Sequence, residues 1–351
     1  MHNMDSSILN AISEITRHRD MDVLDNTLII SLAKIIPANT ISLYKPFNGG
    51  ITFNYDEIFR TSVSIIDNRI NDQECNEKIL FPSSQHLKDC FKSASTVEYK
   101  TSEEKNNILI PVFIDKKVAG AVHIEFSSDI SPYIDIAKSI INIYSNHLSV
   151  LNESERDKLT GLLNRRTFDN TLNKLLDRQK CKQKTYLSRE KPEKRKFVPD
   201  QCSWLAMLDI DHFKNINDHY GHLFGDEVIL ILSQQMGKFF RNTDLLFRFG
   251  GEEFIVILEP TTPEKAKQTF GRFGQIIADY PFPQLDRVTI SIGYARITMN
   301  DYPHTILDRA DKALYYAKEN GRNCVFNYEE LIQDGYLREK KPAETTTLFN
   351  S

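Results

Sequence analysis

Apolar residues in the first part of the chain follow two periods. Ile8, Ile12 and Ile15 recur at helical spacing, and a second apolar-periodic segment spans residues 23–36, which predicts two helices. A strand is predicted over residues 40–44, after Asn39. Residues 107–114 and 118–126 flank the polar Asp115-Lys116-Lys117 and predict a hairpin. From Pro132 to about Arg156 the pattern becomes helical again. Tyr133, Ile136, Ile140, Ile143, His147 and Val150 alternate three and four apart, the spacing of a coiled-coil seam, and Ile134, Ile141 and Leu148 form a second stripe. A helix apolar on two sides can pack on its own domain with one stripe and pair with a second subunit through the other. A helix buried within a monomer would show the same pattern, and under either reading His147 is a seam or core residue.

Between residues 177 and 200 the apolar pattern stops. Lys and Arg crowd this stretch, including Lys194, Arg195 and Lys196, and Pro192 and Pro199 interrupt it, which predicts an inserted surface loop at about 177–203. Interleaved aromatics are missing, so a solvated loop is favoured over a nucleic-acid contact. Residues 204–208 are then continuously apolar, as in a strand covered on both faces.

Composition adds limits. At 351 residues the chain is long enough for two domains, and 40% hydrophobic with 26% charged residues is an ordinary globular balance. A formal net charge of -4 gives no global attraction to nucleic acid or anionic membrane, so phosphate binding must be local. The five cysteines (75, 90, 181, 202 and 324) form no C-x-x-C pair, which argues against a disulfide framework or structural zinc. The N-terminus lacks a basic segment leading into an apolar one, and no stretch reaches the roughly 20 apolar residues of a membrane span. A cytoplasmic protein without a membrane span is expected.

The candidate chemistry follows the apolar strand. It ends in Asp209-Ile210-Asp211, where period two puts both carboxylates on one side. A carboxylate at the end of a buried strand needs a positive partner, and a divalent cation is the usual one. Asp211 would also serve as a helix N-cap. His212-Phe213-Lys214 opens a predicted helix whose first N–H groups, with the Lys214 charge, suit phosphate oxygens. Asn217 and, beyond the turn at Gly221, Asp226 carry groups able to read a purine edge. Two strand-like runs then flank Gly250-Gly251, with Glu252 and Glu253 at the tip of the predicted hairpin. Facing Asp209, these acids would complete an oxygen-rich magnesium site.

With GGEEF at 250–254, the chain resembles the GGDEF family of diguanylate cyclases. The family's other marks stand in order: DKLTGLLNRR (157–166), DIDHFKNIND (209–218), GHLFGD (221–226), SIGYA (291–295) and ADKALYYAKENGRN (310–323). The resemblance implies an α/β (α+β) fold, polymerase-palm-like with a central, mostly antiparallel sheet, over residues 157–328. It implies magnesium, with manganese as the alternative, on Asp209, the Ile210 carbonyl and Glu252, with Glu253 close by. Glu252 is also the candidate acceptor of the 3′-hydroxyl proton. Lys214 and the backbone of His212 and Phe213 would hold phosphates and stabilise the transition state, Asn217 and Asp226 the guanine, and Lys318 and Arg322, one helical turn apart, the terminal phosphates. Arg241 and Asp244 match the family's R-x-x-D inhibitory site, with five residues before Gly250.

The activity so implied is condensation of two GTP into cyclic di-GMP and two pyrophosphates by a homodimer of such domains, with the product as inhibitor. A domain that binds GTP or cyclic di-GMP without catalysis is the alternative, although such domains usually lack the acids kept here. The N-terminal pattern (1–130) resembles a GAF-type sensory domain, which implies regulation and a small-molecule ligand. Residues 131–156 would form the connecting and dimerising helix, and 329–351 a tail without evident chemistry. Cys75 and Cys90 are weighed as buried structural thiols against chromophore or redox sites, with the first preferred.

Overall fold

A computed structural model of the protein describes residues 2–48, 53–66, 69–71, 77–80, 84–101, 105–187, 201–298 and 301–338. The chain divides into two compact units, Met1–Arg156 and Asp157–Ser351.

In the first unit the two predicted helices form as α1 (His2–Arg17) and α2 (Met21–Ile35), followed by β1 (Thr40–Asn48). β2 (Phe53–Ile66), β3 (Arg69–Asn71), β4 (Glu77–Leu80), α3 (Gln85–Ser93) and β5 (Val97–Lys100) come next. The predicted hairpin is β6 (Asn106–Ile114) with β7 (Lys117–Phe126), and its turn uses Asp115 and Lys116 at φ 49° and 66°. Two consecutive left-handed residues match the twist of the flanking strands. Among the described residues these strands form one sheet ordered β3-β2-β1-β7-β6-β5, with β4 also on β2.

The two faces of this sheet differ in chemistry. Ile41 and Leu43 of β1 and Val122 and Ile124 of β7 point into a core shared with α1, α2 and α4 (Ser131–Ser154). The alternate positions are mixed, with several polar groups among them. Ser42 and Asn107 are buried at 0% and 2% exposure, with Tyr44, Arg60, Tyr99 and His123 half-buried beside them. Beneath α3, Leu87 and Cys90 meet Ile58, Leu109 and Ala121. Burial pushes the Cys90 thiol up to about 11, which makes it a poor nucleophile. Cys75 lies outside the described residues.

The stripes of α4 resolve unequally. Ile141 and Leu148 are buried in the core with Ile140 from the other stripe, and only Val150 of the predicted seam is largely exposed, at 63%. His147 Nε2 lies 2.9 Å from the His18 carbonyl, and the buried Tyr144 hydroxyl donates to Asp25, which also holds Lys45 at 2.9 Å.

The second unit opens with β8 (Leu163–Asn164) and α5 (Arg165–Leu187). Thus the segment expected to be a loop from 177 continues as helix for about three further turns. A run of Lys and Arg is compatible with a helix as well as with a loop, so composition alone does not fix this boundary. β9 (Cys202–Ile210), α6 (Phe213–Tyr220), α7 (His222–Phe239), β10 (Leu245–Arg248), β11 (Glu253–Thr261), α8 (Pro263–Asp279), β12 (Ile290–Arg296), α9 (Pro303–Glu319), β13 (Val325–Asn327) and α10 (Tyr328–Gln333) complete it. α10 lies in the segment expected to be tail. Asn327 caps it, and Leu331 is buried in the core, so the fold continues past 328.

The described strands form a sheet ordered β13-β12-β9-β11-β10-β8, antiparallel except where β8 and β13 pair at its edges. β9 is apolar throughout because both faces are covered. Trp204, Ala206, Leu208 and Ile210 join Val228 and Leu232 of α7 and Phe270 and Phe273 of α8. Leu205 and Met207 join Phe168 of α5 and Ala310, Ala313 and Leu314 of α9. At Gly293 of β12, an added Cβ would sit 1.9 Å from the Leu314 nitrogen and 2.4 Å from the Ala310 carbonyl oxygen. This glycine lets α9 lie directly on the sheet.

Candidate active site

Asp209 continues the row of Leu205 and Met207, the row that faces α9. It is 5% exposed, and Lys318 from the last turn of α9 reaches it, with Nζ 2.8 Å from Oδ2. Burial pushes the Asp209 carboxyl above the usual range, Asp211 adds to this, and Lys318 and Arg322 oppose it. Across the β9–β11 ladder Asp209 stands opposite Glu253.

The hairpin between β10 and β11 carries the other acids. Phe249 and Gly250 donate backbone N–H groups to the Glu253 carbonyl at 2.8 and 3.2 Å, and the Ile210 N–H points to the Glu252 carbonyl at 3.4 Å. Glu252 is half-buried. Burial, the Asp209 charge and then Glu253 raise its carboxyl, against Lys318. An added Cβ on Gly250 would lie 2.4 Å from Glu253 Oε2, so the glycine leaves room for the Glu253 carboxylate.

Arg248 fixes this hairpin, a role the sequence reading did not assign. Its Nη1 donates to Asp157 Oδ1 at 3.0 Å, and its Nη2 and Nε donate to the Gly251 carbonyl at 3.0 and 3.3 Å. Burial pushes the Asp157 carboxyl up, but the Thr160 N–H and hydroxyl and Arg248 outweigh it and hold the carboxyl below its usual range. Both residues were visible as neighbours of motifs: Asp157 opens DKLTG and Arg248 stands two residues before GGEEF.

Asp211 does not cap α6. That position belongs to His212, at φ 57° and with no side-chain cap hydrogen bond. The Asp211 carboxylate instead accepts from Ser291 and Thr289 of the neighbouring chain segment and from the Asn323 backbone. The left-handed His212 starts α6, whose first N–H groups have no intrahelical acceptor. Lys214 is exposed in that first turn.

Asn217 lies near the end of α6, and Gly221 at φ 89° turns the chain into α7. A Cβ on Gly225 would fall 2.0 Å from Asn217 Oδ1, so this glycine admits the Asn217 amide beside the exposed Asp226. Lys318 and Arg322 are brought to the same carboxylate, but not as neighbours along a helix. α9 ends at Glu319, and Gly321, Arg322 and Asn323 follow at φ 105°, 57° and 48°. The glycine stops the helix, as left-handed C-terminal residues do.

Arg241 and Asp244 sit in the turn between α7 and β10. Asp244 is 5% exposed and accepts from the backbone N–H of Arg241 and Glu259 at 3.0 and 3.1 Å, while Arg241 is exposed. The carboxylate therefore shapes the turn that presents Arg241. Burial raises the Asp244 carboxyl.

The donor set fits a hard divalent cation. Asp209 and Glu252 offer carboxylate oxygens, and the Asp209 charge adds to burial in raising the Glu252 carboxyl, a strain that a cation would relieve. Among the described residues no cluster of three or more His, Cys, Asp or Glu is placed to hold a metal. Magnesium suits such a sparse site, because it takes one or two carboxylates and completes its shell with water and substrate phosphate. Among the described residues, too, no helix is long and apolar enough to cross a membrane.

Residues 154–324 match the family model for the diguanylate cyclase GGDEF domain. It is similar to the diguanylate cyclase DgcM of Escherichia coli (36% identity over 172 residues, 49% of this chain and 38% of DgcM). It is also similar to DgcZ of the same organism (32% over 183 residues, 51% of this chain and 55% of DgcZ). Among solved structures, the active GGEEF domain of a diguanylate cyclase from Vibrio cholerae is 32% identical, with a TM-score of 0.41, covering 48% of this chain and 97% of that one. The coiled coil and GGDEF domain of DgcB from Caulobacter crescentus, in complex with c-di-GMP, is 25% identical, with a TM-score of 0.47, covering 56% and 97%. The chain spans little more than half of DgcZ and less of DgcM.

Proposed function

We infer that the protein is a diguanylate cyclase that joins two GTP molecules into cyclic di-GMP with release of two pyrophosphates. The observation that carries this reading is the convergence of Asp209, Glu252 and Lys318 where β9, the GGEEF hairpin and α9 meet. Asp209, the Ile210 carbonyl and Glu252, with Glu253 beside them, would hold magnesium, or manganese in its place. When bound, the ion supplies charge stabilisation for phosphoryl transfer. Lys214 and the N–H groups of His212 and Phe213 hold phosphate oxygens, and Lys318 and Arg322 take the terminal phosphates. Asn217 and Asp226 orient the guanine. Glu252, whose carboxyl lies above its usual range, takes the proton from the attacking 3′-hydroxyl. Each domain presents one such site, so two copies must face one another for both bonds to form.

Arg241 is the arm of a product-inhibition site, held by the Asp244 turn. Arg272 Cζ lies 5.9 Å from the centre of the ring of Phe239, the last residue of the helix that precedes Arg241. The first unit is a sensory module of GAF type with a small-molecule ligand, and α4 carries its state to the cyclase of a cytoplasmic homodimer. Asp209→Asn and Glu252→Gln should each abolish product from GTP while the protein stays folded. Near-normal turnover in either variant would remove the metal-site assignment.

A further inference from the structure

We propose that Asp211, the second carboxylate of the β9 terminus, is a positioning residue that sets the triphosphate grip of Arg322 and Lys318. This assignment rests on the reading of those two cations as ligands of the terminal phosphates. Asp209 and Asp211 lie two residues apart on one side of the strand end and are almost equally buried, at 5% and 6% exposure. Their partners differ in kind. Asp209 faces the flexible side chain of Lys318. Asp211 is committed to fixed structure: Oδ1 accepts from Ser291 Oγ at 2.6 Å, and Oδ2 from Thr289 Oγ1 at 2.7 Å and the Asn323 N–H at 2.9 Å. Its own N–H donates to the Thr289 carbonyl at 2.9 Å.

Those bonds gather three parts of the site. Asp211 follows the metal strand directly, and it precedes His212 and the phosphate-facing start of α6. Through Ser291 it is tied to β12, on which α9 rests at Gly293. Through Asn323 it holds the chain just after α9. There Arg322 and Asn323 are both left-handed, a conformation that residues with a Cβ rarely adopt. The Arg322 N–H is held by the Ala317 carbonyl at 3.1 Å, so Arg322 stands between two anchors, one on α9 and one on Asp211. Side chains that grip phosphate must start from a fixed backbone. An acid here therefore acts through Arg322, and through the end of α9 on Lys318, without touching nucleotide.

The test is calorimetric binding to the full-length protein with magnesium. The probes are the α,β-methylene analogue of GTP, which cannot release pyrophosphate, and GMP, which lacks the phosphates that Arg322 and Lys318 would hold. The wild-type protein should bind the triphosphate more tightly than the monophosphate. Asp211→Ala should weaken the triphosphate about tenfold, the effect of losing one hydrogen bond to a charged group, and leave GMP unchanged. Arg322→Ala should do the same, and the double variant should lose less than the two single losses combined, because only the part that runs through Lys318 remains.

Asp211→Asn can keep all three bonds, because the Ser291 hydroxyl can reverse to accept from the amide, so it should retain the preference. If Asp211→Ala fails to fold, Ser291→Ala combined with Thr289→Val strips the carboxylate of its two hydroxyl donors, leaves it less firmly held against the Asn323 N–H, and should give the same selective loss. Parallel losses for both nucleotides, or additive losses in the double variant, would overturn the positioning role while leaving the cyclase reading intact. A wild-type protein indifferent to the terminal phosphates would overturn both.

Discussion

Lys318 Nζ stands 2.8 Å from Asp209 Oδ2, so the cation nearest the strand-end carboxylate comes from a helix laid across the sheet. Burial nevertheless outweighs that charge, and the Asp209 carboxyl remains above its ordinary range. A carboxyl raised by folding binds its proton more readily in the folded state. Its penalty is absent at low pH, where it is protonated both folded and unfolded, and grows as pH rises through the folded value.

Asp209→Asn should therefore lose activity without losing stability. At neutral pH its melting temperature should equal or exceed the wild-type value, and the difference should vanish below the ordinary carboxyl range. Thermal melts across pH check this. A variant clearly less stable than wild type at neutral pH would show that Asp209 serves the fold.

Arg248→Ala should uncouple the hairpin from its support. Asp157 and the Gly251 carbonyl lose their shared partner, so Glu252 is less firmly placed. Small displacements of positioned groups cost large factors in rate, and kcat should fall by about 100-fold. Nucleotide affinity should change little, because Asn217, Asp226 and Lys214 lie on other elements. Steady-state kinetics paired with GTP titration measures the two separately.

Gly293→Ala tests whether α9 needs direct contact with β12. The new Cβ would meet backbone atoms of Ala310, Ala313 and Leu314, which cannot yield as a side-chain end would. Overpacking of this kind costs about 1–3 kcal/mol or more. Chemical denaturation should show that loss, and any folded fraction should bind GTP poorly because Lys318 is displaced.

His123 gives the first unit a pH dependence. Burial, opposed by Glu125 and reinforced by Arg60, lowers its pKa from 6.5 to about 4, and among the described residues its Nδ1 has no hydrogen-bond partner. Folding thus favours the neutral ring. Its contribution is fully present above pH 6.5 and is lost as pH falls from there through 4, on the order of 3 kcal/mol at the end of that range. His123→Gln should melt with less dependence on pH between 6.5 and 4. Equal slopes for the two proteins would contradict the shift.

Arg241→Ala should relieve inhibition by added cyclic di-GMP without lowering the uninhibited initial rate. Because Asp244 bonds the backbone of residue 241, the turn should survive the substitution. Progress curves with and without added product are the check. Unchanged inhibition would place the inhibitory site elsewhere.

How far the sequence could be read depended on how local each determinant is. Asp209 and the GGEEF hairpin were legible because strand period and a Gly-Gly turn are local signals. The role of Asp211 was not, since its partners Thr289, Ser291 and Asn323 lie 78 to 112 residues away. Spacing of four suggested one helical turn between Lys318 and Arg322, but Gly321 breaks the helix between them. In the first unit, β2 went unassigned although Val63 and Ile65 alternate with Ser62 and Ser64, because that period-two run is short within a strand that also carries Asp56, Glu57 and Arg60.

The most direct test of the central claim is incubation of purified full-length protein with GTP and magnesium, with the nucleotides resolved by chromatography. Formation of cyclic di-GMP with two equivalents of pyrophosphate, slowing as product accumulates, is the predicted result. GTP left unconverted both by the full chain and by residues 157–351 would contradict it.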